Sequence, residues 1–185
     1  MNEQLSRKDF FKEIINRFDL RKIAGANPPP EKKRPVVAPP GIKNVSEFLN
    51  QCNQCYDCVS VCPHEALQVW HQEGANFDGY PVIYPRRQPC YLCQDFPCIQ
   101  ACPTEALQME FSGKPMGKAV IDESRCLAFQ DHFCQSCITN CPPDYSALQR
   151  NDLGHPVVDT EKCSGCGICT HVCPAETPAI NIYQT

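Results

Sequence analysis

The sequence predicts an α+β, loop-rich chain of short β-hairpins and short helices built in duplicate, preceded by an N-terminal helix and a proline-rich linker. Three observations predict it. Cysteine supplies 16 of the 185 residues, in four groups that each end in Cys-Pro. Each ending is followed by an alanine and an apolar residue: Cys62-Pro63 by Ala66-Leu67, Cys102-Pro103 by Ala106-Leu107, Cys141-Pro142 by Ala147-Leu148, and Cys173-Pro174 by Ala179-Ile180. Three repeats also share a strand-like run of β-branched residues: Pro81-Val82-Ile83-Tyr84, Lys118-Ala119-Val120-Ile121 and Pro156-Val157-Val158-Asp159. The first cysteine group instead follows Val45-Ser46-Glu47-Phe48-Leu49, which reads as a helical turn.

Residues 1–25 are expected to form an amphipathic helix. Ser6 with Asp9 resembles a capping box, and Phe11, Ile14, Ile15 and Phe18 recur at helical spacing. That stripe either packs on the chain's own body or anchors a partner. Residues 26–41 contain six prolines, which exclude a helix interior and favour an extended connector. Residues 42–185 hold all four cysteine groups, and because the cysteine group itself is the repeated unit, duplication of a binding motif explains the repeat better than a solenoid does.

Three chemistries use cysteine at this density: disulfide scaffolds, zinc sites and iron–sulfur clusters. Residues 6–12 resemble a twin-arginine export motif with Lys8 in the second arginine's place, but Glu13 to Lys22 interrupt the apolar segment that should follow. No run of about 18 apolar residues suggests a membrane span. A cytoplasmic location is therefore expected, and reduced, clustered cysteines there point to metal. Charge excludes nucleic acid as a partner. Residues 1–43 carry ten Lys or Arg against five Asp or Glu, whereas residues 44–185 carry seven against sixteen. A basic start on an acidic body suits protein docking or a self-contact, and the body would repel phosphates.

Spacing identifies the metal group. The four sets are Cys52, Cys55, Cys58, Cys62; Cys90, Cys93, Cys98, Cys102; Cys126, Cys134, Cys137, Cys141; and Cys163, Cys166, Cys169, Cys173. The first and last have the spacing C-x2-C-x2-C-x3-C-P of bacterial two-[4Fe–4S] ferredoxins. The second set lengthens its third-cysteine gap to four residues, and the third lengthens its first gap to seven. Two residues between thiolates let a tight loop wrap three irons of one cubane, with backbone N–H groups directed at the sulfurs. The fourth cysteine leads away to the other cluster of a pair, and the proline after it fixes φ. Gly165 and Gly167 allow close backbone approach, whereas the first group has Asn53, Gln54, Tyr56 and Asp57 in that loop. Zinc sites favour separated C-x2-C pairs instead. Four [4Fe–4S] clusters on all sixteen cysteines are the expected cofactors, and the fold class becomes duplicated bacterial ferredoxin-like modules.

Further segments carry a family resemblance. Ala38-Pro39-Pro40-Gly41, Glu47-Phe48-Leu49, Pro85-Arg86-Arg87-Gln88-Pro89-Cys90-Tyr91-Leu92-Cys93, Ala119-Val120-Ile121-Asp122 and Cys126-Leu127-Ala128 resemble the four-cluster ferredoxin-type proteins of the NapG/MauM kind. The start of the chain is also similar to NapF-type ferredoxins. The resemblance implies an electron-transfer component of a redox system such as nitrate reduction or methylamine oxidation.

Spacing leaves two pairing plans open, neighbour with neighbour or first with fourth and second with third. The two regular motifs are the outer ones. The four-cluster subunits of DMSO-reductase-like enzymes, which this arrangement resembles, use the nested plan, so nesting is the expectation. It groups Cys52, Cys55, Cys58 with Cys173; Cys163, Cys166, Cys169 with Cys62; Cys90, Cys93, Cys98 with Cys141; and Cys126, Cys134, Cys137 with Cys102. Four cysteines per cluster leave no iron open to a substrate, which argues for one-electron relay and against catalysis. His64, His71, His132, His155 and His171 are scattered and read as exposed or structural, although His132 lies where it could tune a potential. Trp70, Phe77 and Tyr80 are expected to pack beside a cluster. The leading expectation is an electron carrier or subunit that docks on a redox enzyme through its N-terminal helix and linker. The alternative is a maturation factor for such an enzyme. So small an apolar core per repeat should make folding depend on metal.

Overall fold

The computed structural model describes residues 35–72 and 76–184. The expected N-terminal helix and the first part of the proline-rich linker lie outside the described residues. The linker reading needs correction at its end. Val37, Ala38, Pro39, Pro40 and Gly41 are buried, and Val37 exchanges both backbone hydrogen bonds with Ile83, at 3.0 and 2.8 Å. Proline suits this position because only one residue of the stretch has to donate to a strand. The cysteine-rich body therefore begins at Pro35.

Helix α1 (Val45–Gln51) starts where Asn44 Oδ1 accepts the Glu47 N–H at 2.9 Å. Lys43 reaches the Glu47 carboxylate at 3.0 Å. The helix buries Phe48 against Phe77 and Tyr80, with ring centroids 6.5 and 5.9 Å apart, and Tyr80 Oη donates to the Leu49 carbonyl. Trp70 packs on Tyr84. These aromatic side chains build the apolar half of the core around the first two cysteine groups.

Four one-turn helices follow, each carrying the third cysteine of a motif at its second position: α2 (Asp57–Ser60), α3 (Pro97–Gln100), α4 (Ser136–Thr139) and α5 (Ile168–His171). The chain enters α2, α3 and α5 through a left-handed residue: Tyr56 at φ 64°, Phe96 at φ 44° and Gly167 at φ 85°. Helix α4 is entered through Gln135 at φ −140°, because the long insertion of the third motif approaches it differently.

The strands pair in antiparallel twos. β1 (Leu67–Val69) pairs with β2 (Pro81–Ile83), Leu67 opposite Ile83. β4 (Leu148–Arg150) pairs with β5 (Pro156–Val158), Leu148 opposite Val158. β3 (Lys118–Ile121) pairs with β6 (Ile180–Tyr183), Ile121 opposite Ile180. All three strand-like leads of the sequence are strands. Of the alanine-led endings, three open strands, while the second turns into a 3-10 segment at Met109–Phe111. There Gln108 donates its N–H to the Gly41 carbonyl at 2.8 Å, so the chain is used up in closing the first half.

The halves share one continuous core in which cysteines stand among Val37, Phe48, Val82, Ile83 and Ile182. They are also tied through backbone. Cys90 N–H donates to the Cys166 carbonyl at 2.9 Å. Ala38 N–H donates to Gln184 Oε1 at 2.8 Å, and the Arg86 guanidinium donates to the carbonyls of Cys173 and Glu176. A Cβ at Gly167 would overlap the Pro85 ring, so the close approach there is between halves, whereas one at Gly165 would overlap the Gly117 backbone beside β3 of the same half.

Candidate functional site

The hairpins decide which thiols meet. Strand β1 begins five residues after Cys62, and its partner β2 ends seven before Cys90, so pairing the two carries Cys62 to the second motif. Cys62, Cys90, Cys93 and Cys98 line one cavity together with Leu67, Ile83 and Phe96. In the same way β4 and β5 carry Cys141 to the fourth motif, where it lines a cavity with Cys163, Cys166 and Cys169. The β3–β6 pair brings Cys173 to Cys126, Cys134 and Cys137 around another. The remaining set is Cys52, Cys55, Cys58 and Cys102, whose thiols act on one another: Cys58 is flanked by Cys52, Cys102 and Cys55, and Cys52 by Cys102 and Cys55.

The sets are therefore neighbour with neighbour, and the nested expectation is corrected. Cys173 does not join Cys52, nor Cys62 join Cys163, nor Cys141 join Cys90, nor Cys102 join Cys126. The physical reason is local closure. A hairpin between adjacent motifs closes a short loop, whereas nesting must close first on last across the chain at greater entropic cost. The irregular gaps of the inner motifs are loop insertions and say nothing about partners.

Burial dominates the electrostatics of these thiols. Burial pushes the Cys58 thiol up to about 12, with Cys52, Cys98, Cys102 and Cys55 adding to it. Burial likewise lifts Cys90 to about 12; the Leu92 N–H opposes this, while Cys98, Cys166 and Cys93 reinforce it. Cys98 and Cys137 are each raised to about 11, again mainly by burial. Cys169 is raised by burial, Cys166, Cys163, Cys137 and Cys141. Thiolates packed this densely need a positive partner. Three of the sets each line a cavity, and the remaining set gathers Cys52, Cys55, Cys58 and Cys102. That fits a cubane, whose four irons take one thiolate each. No disulfide joins any of the sixteen cysteines.

Two features of the site lay beyond the sequence reading. The first is strain. Gln54, Tyr56, Leu92 and Phe96 adopt the same left-handed backbone that Gly165 and Gly167 adopt in the fourth motif. The loops of the first two motifs thus reach the shape of the last without its glycines, at a cost of about 1–2 kcal/mol per residue. The second is the repeated alanine. Ala66 N–H donates to Cys62 Sγ at 3.3 Å and Ala179 N–H to Cys173 Sγ at 3.4 Å. Ala106 N–H donates to Thr104 Oγ1, which is 3.5 Å from Cys102 Sγ. The alanine after each Cys-Pro, with two residues between in the first two motifs and four in the last two, was the available signal; in the first and fourth motifs its amide is aimed at the fourth sulfur.

The histidines do not converge on one place. His64 packs on the Tyr91 ring and His155 stacks on Phe129, at 4.6 and 4.1 Å between centroids. His71 and His132 are exposed.

Comparison with known proteins finds 4Fe-4S domain families and ferredoxin-type relatives. The 4Fe-4S dicluster domain family matches residues 51–106, a span that runs from Cys52 through Cys102, and the 4Fe-4S binding domain family matches residues 154–175. The ferredoxin-type protein NapG of Escherichia coli is 35% identical over 160 residues, covering 79% of this chain and 69% of that protein. The methylamine utilization ferredoxin-type protein MauM of Methylobacillus flagellatus is 30% identical over 197 residues, covering 97% and 84%. The ferredoxin-type protein NapF of Haemophilus influenzae is 29% identical, covering 78% of each chain.

Proposed function

Because the chain belongs to the NapG/MauM family of ferredoxin-type 4Fe-4S proteins, we propose that it relays single electrons through four [4Fe–4S] clusters between a donor and a partner redox enzyme. The observation that carries this reading is that the thiols divide into four sets of four with none left over. A [4Fe–4S] cluster, when bound, supplies a one-electron couple whose potential the surrounding protein sets. One set is Cys52, Cys55, Cys58, Cys102, and the second is Cys90, Cys93, Cys98, Cys62. The third is Cys126, Cys134, Cys137, Cys173, and the fourth is Cys163, Cys166, Cys169, Cys141. The one-turn helices hold the third cysteine of each set, the Cys-Pro turns deliver the fourth, and the inward amides of Leu92, Ala66 and Ala179 offset sulfur charge. Full thiolate ligation leaves no place for a substrate on iron, so the chain is read as a carrier and not as an enzyme. The fold is read as two ferredoxin-like modules in tandem.

Sharing between neighbours has a direct test in paired substitutions on the anaerobically purified chain. Cys62→Ala and Cys93→Ala act on the same set, so the double variant loses no more iron than either single one. Cys62→Ala with Cys166→Ala acts on two sets, and the iron losses add. Additive loss in the first pair would end the assignment. Docking is assigned to residues 1–34, where the basic charge and the apolar stripe lie. The truncation tested must stop there, since Val37 to Gly41 belong to the core. Removal of 1–34 abolishes partner binding and keeps the iron; binding that survives removal contradicts the docking role. Transfer of clusters to a metal-free partner enzyme, in place of reversible reduction, would favour the maturation reading.

A further inference from the structure

The four thiol sets do not follow one another in space as they do in sequence. Three contacts join them. Helix α2, which carries Cys58 of the first set, packs against α3, which carries Cys98 of the second. Cys90 of the second donates its N–H to the carbonyl of Cys166 of the fourth at 2.9 Å. Helix α5, which carries Cys169 of the fourth, packs against α4, which carries Cys137 of the third.

Resting on the four-cluster reading above, we propose that the sets stand in single file in the order first, second, fourth, third, with the Cys90–Cys166 contact as the junction between halves, so that the first and third sets are the two ends at which electrons enter and leave. Burial follows the same order. Cys90 and Cys98 are buried in the second set, as are Cys163, Cys166 and Cys169 in the fourth. The end sets bury one cysteine each, Cys58 and Cys126, and Cys55 of the first is the exposed one among the sixteen. The third motif's insertion also ends on Phe133, 82% exposed, beside Cys134. The seven-residue gap therefore lies at an end of the file, where extra chain does not interrupt the junction.

Magnetic coupling between reduced clusters reads this order without recourse to activity. Two full-length variants are prepared, each disabling one set: Cys134→Ala with Cys137→Ala in the third motif, and Cys163→Ala with Cys166→Ala in the fourth. Iron content is measured first. A wild-type chain without four clusters defeats the underlying reading and leaves the order without a subject. With four clusters present, the third-motif variant keeps three consecutive neighbours and a fully coupled paramagnetic resonance spectrum. The fourth-motif variant isolates the third set, which then gives a narrow, uncoupled signal. The sequence order predicts the reverse, an isolated signal only in the third-motif variant, and that result overturns the proposal. Should either variant lose more than one cluster, the ligand-conserving Cys55→Ser and Cys134→Ser tag the end signals instead. The dipolar separation between those two is then the longest in the chain, and a longer one elsewhere overturns the order.

Discussion

At the residue scale, a ferredoxin-type loop is set by backbone conformation before side-chain identity. The fourth motif obtains its two left-handed positions from Gly165 and Gly167, while the first obtains them from Gln54 and Tyr56. Tyr56 has compensation, since its Oη donates to the Gly79 carbonyl at 3.1 Å. Gln54→Gly removes a left-handed strain of about 1–2 kcal/mol and returns part of it as lost backbone freedom, so a small net gain of up to about 1 kcal/mol is expected. Gly165→Ala has the opposite effect: strain at φ +73° adds to overlap with the Gly117 backbone, and a loss of at least about 2 kcal/mol follows. Thermal midpoints of the cluster-loaded variants check both. Equal midpoints for Gly165→Ala and the unaltered chain would mean that the fourth motif's loop does not approach the Gly117 backbone. The four cysteine groups were legible, because their spacing repeats along the chain. The strain was not legible, because nothing in the residues Asn53 to Asp57 announces a positive φ.

At the element scale, local signals succeeded where the element closes on itself. The turn read at Val45–Leu49 is α1, and the β-branched leads are strands β2, β3 and β5. They failed where a distant segment decides. Residues 106–108 carry the same alanine-led signature as the strand openings, yet Gln108 pairs with Gly41 and the chain turns into a 3-10 segment. Val37 to Gly41 look like connector because proline dominates them, but they fill the edge of β2 and the space beside Ile99. Helix α1 depends on its cap. Asn44→Ala removes the acceptor for the Glu47 N–H and lowers stability by about 1 kcal/mol, seen as a lower thermal midpoint with unchanged iron content. An unchanged midpoint would show that α1 is held by Phe48 packing alone.

At the scale of the whole molecule, pairing was the property the sequence did not settle, since it depends on which hairpins close and not on motif regularity. The body holds its shape around groups that resist ionising. Cys58 and Cys90 are pushed up to about 12, above the usual thiol range near 8.5. In the metal-free fold these raised thiols keep their protons, so their contribution is intact below about pH 8.5 and is lost as pH climbs toward 12. Binding iron requires the thiolate, so loading expels protons, and acid favours release of iron. Iron retained during anaerobic dialysis against a chelator accordingly falls as pH is lowered from 8 to 5, and secondary structure by circular dichroism falls with it. Retained native dichroism in iron-free protein would show that the apolar core suffices alone.

The most direct test of the account is the iron and acid-labile sulfide content of the full chain, purified without oxygen. Sixteen thiols in four complete sets predict about sixteen irons and sixteen sulfides per chain. Eight or fewer of each, or zinc or sulfur–sulfur bonds in their place, would contradict it.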